Sequence, residues 1–479
     1  MLLGFAIGCE GPGPLTARAA WIQAELTADN SFWLTRSPAR VEEKYARMAE
    51  DPYDWMRGTL PLFLDDALRP DLERAGTGFL VEPGATSVLI VGDPHMENLG
   101  TCLRGEEDDA GTIPQAVPLL LEWVDLDAAT FGPWTLDTRR AALALALVAE
   151  SRGECAECID PVVSAFALAY ADEVALRARG GAGWSPDAEA EGDGMLVAAL
   201  RTEARTAGAA SAALDSYTLV APDTAGVGER LLAVDPALDE AGEGLLELGA
   251  RDRAQLDRLM AAWEDGRPGD FRELDAARLY GKGVASLPAT RFLVLWDRGD
   301  DGLEDDRLLN VREVLDPPSV DGELPGIGSV FADNADRVTR VHRALWSSPD
   351  ADVRLAGLAD GASAFKTTST SGWFQTFDHH AIDRARELGV AELGDVQALA
   401  ALVGRALASA HARGVTLNGE ASLPVLAEDL RRAGGPDALL AERLRDARTD
   451  LDALHEDHQL FLDLLAERGP LLGAEVLVR

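Results

Sequence analysis

Cysteine is scarce. Only Cys9, Cys102, Cys155 and Cys158 occur in 479 residues, too few for a disulfide scaffold. Cys155 and Cys158 stand in CAEC, but no second pair completes a four-thiolate zinc site. Ahead of a helical pattern they read as a local disulfide or as two ordinary thiols. Basic residues are few as well: 44 Lys and Arg against 82 Asp and Glu leave a net charge of -38. Such a surface repels nucleic acid and anionic lipid, so neither is expected as a partner, and any phosphate site must gather local cations or backbone N–H groups. Beyond the N-terminus no apolar run is long enough to span a bilayer. No internal repeat occurs.

What is present is ordinary for a folded protein, with 47% hydrophobic and 26% charged residues, and the length suits two or three domains or lobes. The first 20 residues are set apart as a leader. MLLGFAIGCEGPGP has an apolar run ending at AIGC, like the tail of a lipoprotein signal with a lipid anchor at Cys9, yet it lacks the basic start and full apolar length of one. A short apolar arm docked on the domain is the other reading, and location stays open between cytoplasm and cell envelope. Residues 21–272 are expected to form a helix-rich lobe, 273–377 a β-rich region and 378–479 a helical end. DTRRAALALALVAE is expected as a buried helix opened by Asp137.

Two apolar runs, SVLIV and AVPLLLEWV, end in polar clusters: GDPHMEN with Asp93, His95, Glu97 and Asn98, and DLD with Asp125 and Asp127. They are expected as neighbouring strands of a small sheet. Asp93 and Asn98 have the spacing of the catalytic Asp and metal-holding Asn of a kinase catalytic loop, and Asp125 falls where a phosphotransferase keeps its magnesium-binding carboxylate.

GDPHMEN resembles the GDxHxxN loop of aminoglycoside and choline phosphotransferases, the small-molecule branch of the protein-kinase-like fold. The ordered set MAEDPYDWMRGT, VGDPHMENLG, VDLDAATFGPWTLDTRRAAL, YGKGVASLPATRFLVL, LNVREVLDP and ALASAHAR more closely resembles an uncharacterised bacterial family, the domain of unknown function 2252 family. The resemblance implies an α+β, helix-rich, two-lobed kinase-like fold, with ATP and Mg2+ as cofactors and an unidentified small-molecule acceptor. It makes Asp93 the base, Asn98 and Asp125 the metal ligands, and Asp127 a second-ion ligand. Asp137 is expected to tie down the loop backbone from a helix start. His95 is assigned to orienting the loop, with metal ligation the alternative, and Arg57 fits either a phosphate or helix packing.

YGKGVAS, with Gly281, Lys282, Gly283 and Ser286, resembles a glycine-rich hairpin over nucleotide phosphates. In LLNVREVL, Arg312 takes the place of the nucleotide lysine, a change of geometry as well as bulk that Lys282 could offset. These segments follow the catalytic-loop motif instead of preceding it, so the resemblance implies a circular permutation. Arg312 also favours a second reading, a kinase-like protein that binds without transferring. A metal-dependent phosphoesterase is the weakest alternative, because the seven histidines lack the required settings. His379 and His380 adjoin only Asp378, and His455 and His458 read as a solvated helix face.

Overall fold

A computed structural model describes residues 15–68, 87–103, 119–150, 155–187, 194–209, 212–221, 229–236, 238, 243–265, 271–297, 303, 306–318, 324–348, 352 and 354–474. The leader through residue 14, Cys9 included, and the acidic stretch GEEDDAGT lie outside the described residues. The fold is mixed α+β and helix-rich, with a six-stranded antiparallel sheet.

The chain opens with α1 (Ala17–Asp29), α2 (Ser31–Arg36), α3 (Pro38–Met48), α4 (Pro52–Gly58) and α5 (Leu60–Leu68). Pro38 and Pro52 start α3 and α4, where a missing N–H costs nothing, and Asp51 caps α4 by accepting from Tyr53 N and Asp54 N. Four short strands follow, β1 (Ser87–Ile90), β2 (Leu99–Leu103), β3 (Leu119–Trp123) and β4 (Thr130–Pro133), then α6 (Trp134–Glu150). The two polar-ended runs are not strand neighbours: β1 pairs with β4, and β2 with β3. The GDPHMEN turn separates β1 from β2, and the two pair with different strands, β1 with TFGP and β2 with LLLEW.

Helix α6 is buried on every side from Trp134 to Ala149: AALALALVA is apolar all round, and the buried Asp137, Arg139 and Arg140 of its first turns are each held by a polar partner. It packs with α7 (Ile159–Ala178), and Cys155 and Cys158 ahead of α7 form a disulfide. Next come α8 (Gly194–Ala209), α9 (Ala212–Tyr217), the β5 (Thr218–Ala221) and β6 (Glu229–Leu232) hairpin, β7 (Gly244–Glu247) and α10 (Ala250–Glu264). Strand structure therefore begins before residue 273. Segments such as GLLE are too short for their periodicity to separate strand from helix.

The sheet is completed by β8 (Arg272–Tyr280), β9 (Arg291–Asp297), β10 (Arg307–Val314), β11 (Ala356–Asp360) and β12 (Ser363–Thr370), in the order β11-β12-β10-β9-β8-β7. Phe292, Val294 and Trp296 of β9 pack towards α10, whereas Leu293 and Leu295 join the opposite core, the two-residue alternation of a strand buried on both faces. The expected strand pair after residue 361 is one strand: β12 pairs with β11 before it, and Thr376 makes only a single bridge, to Gly100. Between β10 and β11 lie α11 (Ile327–Val330) and α12 (Asn334–Leu345); α13 (His379–Glu387), α14 (Leu393–Arg413), α15 (Ser422–Arg432) and α16 (Pro436–Arg468) finish the chain.

Helices α2 and α3 join the helical core to the sheet. Arg36 donates to Glu313 Oε1 at 3.1 Å, Arg40 lies over the Tyr280 ring, and Arg47 donates to the Gly281 carbonyl at 2.9 Å. From α12, Arg337 donates to the carbonyls of Asp127, Ala129 and Leu315, tying the loop after β3 to the end of β10.

Candidate active-site cleft

The backbone leaving β1 is fixed by a carboxylate. Asp137, fully buried in the first turn of α6, accepts from Val91 N at 2.7 Å and Gly92 N at 3.0 Å. His411 Nε2 lies 2.9 Å from Asp137 Oδ2, and its Nδ1 lies 2.9 Å from the Tyr170 hydroxyl. A carboxylate can only accept, so His411 Nε2 carries the proton shared with Asp137. The ALASAHAR segment thus reaches the loop through Asp137. Gly92 has φ 88°, and a Cβ there would stand 2.1 Å from the Ala128 carbonyl oxygen, so glycine is required twice over.

Within the loop, Asn98 donates its side-chain N–H to the Asp93 carbonyl at 2.9 Å, which leaves its carboxamide oxygen as the acceptor for a ligand. Arg140 Nε donates to Asp93 Oδ1 at 2.8 Å, and His95 Nε2 lies 3.5 Å from Asp93 Oδ2. Burial pushes the His95 imidazole down to about 4 despite the attraction of Asp93, so the ring is neutral near pH 7.

The residues after β3 meet the sheet. Arg312 Nη2 lies 2.9 Å from Asp125 Oδ1 and also contacts Asp127 Oδ2; Lys366 Nζ lies 2.5 Å from Asp127 Oδ1 and 3.4 Å from Asp125 Oδ1. Burial opposes ionisation of Asp125, but the charges of Arg312 and Lys366 outweigh it and hold the carboxyl well below its usual range.

One cavity of about 520 Å3 is lined by Asp93, His95, Asn98, Asp125 and Asp127 from this side and by Gly283, Ser286, Arg312 and Lys366 from the sheet. Arg57 also lines it, bridging Asp54 and Glu97 at 2.9 Å each. Gly281 and Lys282 are not in the lining, and Lys282 pairs with Glu243 instead. The cleft thus gathers oxygen donors suited to a hard cation, with Lys44, Arg57, Arg291, Arg312 and Lys366 as local cations.

Three residues escaped the sequence reading. Lys366 is the register partner of Arg312 across β10 and β12 and is 3% exposed, a burial that no local spacing encodes. Glu97 supports a distant element: His379 Nδ1 lies 2.5 Å from its Oε1, and His379 Nε2 lies 3.2 Å from Asp51 Oδ2. His458, expected on a solvated face, is buried, with its Nε2 3.0 Å from the Met48 carbonyl, because its face of α16 packs on α4.

No curated protein and no solved structure matches the chain. The model of a family described as uncharacterized protein conserved in bacteria (DUF2252) matches residues 36–464, which takes in every element from α3 to the body of α16. The chain belongs to the DUF2252 family.

Proposed function

We propose that the protein is a magnesium-dependent phosphotransferase that moves a phosphoryl group from a nucleoside triphosphate to a hydroxyl of a small molecule. The observation that carries this reading is the convergence of Asp93, Asn98, Asp125 and Asp127 on one cleft with Arg312, Lys366 and the Gly283–Ser286 connection between β8 and β9. The GDPHMEN and VDLD segments precede the six-stranded sheet in the chain, while the helical core around them is completed by α14 and α16 after it; the order of the two motifs suits a circularly permuted kinase-like arrangement.

Asp93 accepts the hydroxyl proton of the acceptor and aims its oxygen, with Arg140 and His95 fixing the carboxylate. Asn98, Asp125 and Asp127 are the oxygen donors that would hold magnesium, which when bound offsets the charge on the phosphates. Arg312 and Lys366 neutralise phosphate oxygens from the sheet side, and the β8–β9 connection lines the same cleft.

Arg312 and Lys366 both sit on the two acidic side chains, and this ion-pair web favours a second reading in which the cleft binds a nucleotide without transfer. A thermal-shift series separates the two. Phosphotransfer requires that a nucleoside triphosphate raise the melting temperature only with magnesium, and that Asp93→Asn keep this shift while losing turnover. Nucleotide stabilisation without turnover in the native chain favours the binding protein. Absence of magnesium-dependent stabilisation by any nucleotide overturns the proposal.

A further inference from the structure

Beside the cleft, two elements distant in sequence bring an unusual donor set together. Asp51 and Asp54 come from the start of α4, and His379 and His380 open α13; one ligand atom of each lies within 4.8 Å of all the others. Asp51 uses Oδ1 to cap α4 and turns Oδ2 to the histidines, 3.2 Å from His379 Nε2 and 3.6 Å from His380 Nε2. Bonds of about 2.0–2.1 Å from a tetrahedral ion place neighbouring donors ~3.3 Å apart, so Asp51 Oδ2 already stands from each histidine nitrogen at about the spacing of two corners of such a tetrahedron.

A second, independent feature is the other side of the His379 ring. Its Nδ1 meets Glu97 Oε1 at 2.5 Å, and Glu97 is itself held by Arg57 at 2.9 Å. Metal-ligating histidines characteristically give their second nitrogen to a carboxylate, which fixes both tautomer and ring direction. Tyr53 stacks on the same ring at 4.2 Å between centroids, locking its plane. His379 is buried while His380 is 42% exposed, which leaves a path from solvent.

We propose that Asp51, Asp54, His379 and His380 form a tetrahedral site for a divalent cation of the zinc class, with Glu97 as the carboxylate that orients His379. Two nitrogen and two oxygen donors suit such an ion better than magnesium or calcium, which take oxygen. Glu97 belongs to the GDPHMEN loop, so the site would brace the loop that carries Asp93. The proposal does not rest on phosphotransfer.

The test uses the full chain, stripped with a chelator and then titrated with cobalt(II) under excess magnesium, which occupies oxygen-only sites. One equivalent of cobalt should develop the intense visible bands of tetrahedral coordination, and zinc should bleach them. Glu97→Gln should weaken cobalt binding ~10–100-fold, the usual cost of losing an outer carboxylate, and His380→Ala by more. Asp51→Asn, which keeps the helix cap, should weaken it likewise, whereas Asp125→Ala should leave the bands unchanged. Circular dichroism of the exposed-site variant His380→Ala verifies folding. Weak octahedral bands only, or bands that survive His380→Ala and Asp51→Asn combined, overturn the proposal.

Discussion

Arg312 and Lys366 face each other across the β10–β12 pair, and each contacts both Asp125 and Asp127. Two strands of the sheet thereby hold two carboxylates of the helical unit by four ion-pair contacts, and any ligand phosphate entering the cleft must compete for the same cations.

Lys366 is the cation whose removal tests that competition. It is buried at 3% exposure, so its charge acts at low screening. In Lys366→Met, a lost charge-assisted contact of about 1.5–3 kcal/mol should raise the nucleotide dissociation constant roughly 10–100-fold. Arg312 keeps Asp125 and Asp127 paired in that variant, so the fold should persist. Titration calorimetry with and without magnesium provides the measurement, and an unchanged constant removes Lys366 from the phosphate site.

Asp137→Asn addresses the anchor behind the loop. The native carboxylate satisfies Val91 N, Gly92 N and His411 Nε2 together, and an amide replaces one accepting oxygen by a donor. At least one buried donor then loses its partner, so denaturant unfolding should show a loss of about 3 kcal/mol. Activity should fall further than stability explains, because Asp93 follows two residues after Val91. A neutral effect on both would show that the loop holds its shape without the carboxylate.

Gly92→Ala should disrupt the same loop from the front. A left-handed φ of 88° costs a side chain about 1–2 kcal/mol, and the Cβ would overlap the Ala128 carbonyl beside Asp127. Melting temperature should drop, and magnesium-dependent nucleotide binding should be lost with it, since relief of the clash separates the Asp93 and Asp127 segments. Wild-type melting behaviour would refute the close approach.

These positions also mark where sequence suffices. GDPHMEN and VDLD were legible because their polar residues are local, spaced along a few positions at strand ends. The helix from Trp134 was legible because AALALALVA is apolar on every face, although its buried first turns carry Asp137, Arg139 and Arg140. Lys366 was not, since its partnership with Arg312 arises from strand register and its burial from the cleft. The Glu97–His379 contact joins residues 282 apart in sequence, so nothing in either local cluster pointed to the other. The short strands β5, β6 and β7, of four residues each, carry too few alternations to outweigh the helical pattern around them.

Acid sensitivity should trace to His342 on α12. The ring is fully buried, its Nδ1 lies 2.7 Å from the Val338 carbonyl, and burial, reinforced by Lys366, pushes it down from 6.5 to about 3. Asp125 and Asp127 act in the opposite sense but less strongly. Between these two values the unfolded chain binds a proton that folded His342 refuses, so stability rises with pH across the window and falls as pH drops towards 3. His342→Leu removes this contribution. The melting temperature of the native chain relative to the variant should therefore decline between pH 7.5 and pH 4.5. His95, pushed down to about 4, acts in the same sense and should leave the variant with a residual slope. An equal offset at both pH values would exclude His342 as a source of the acid sensitivity.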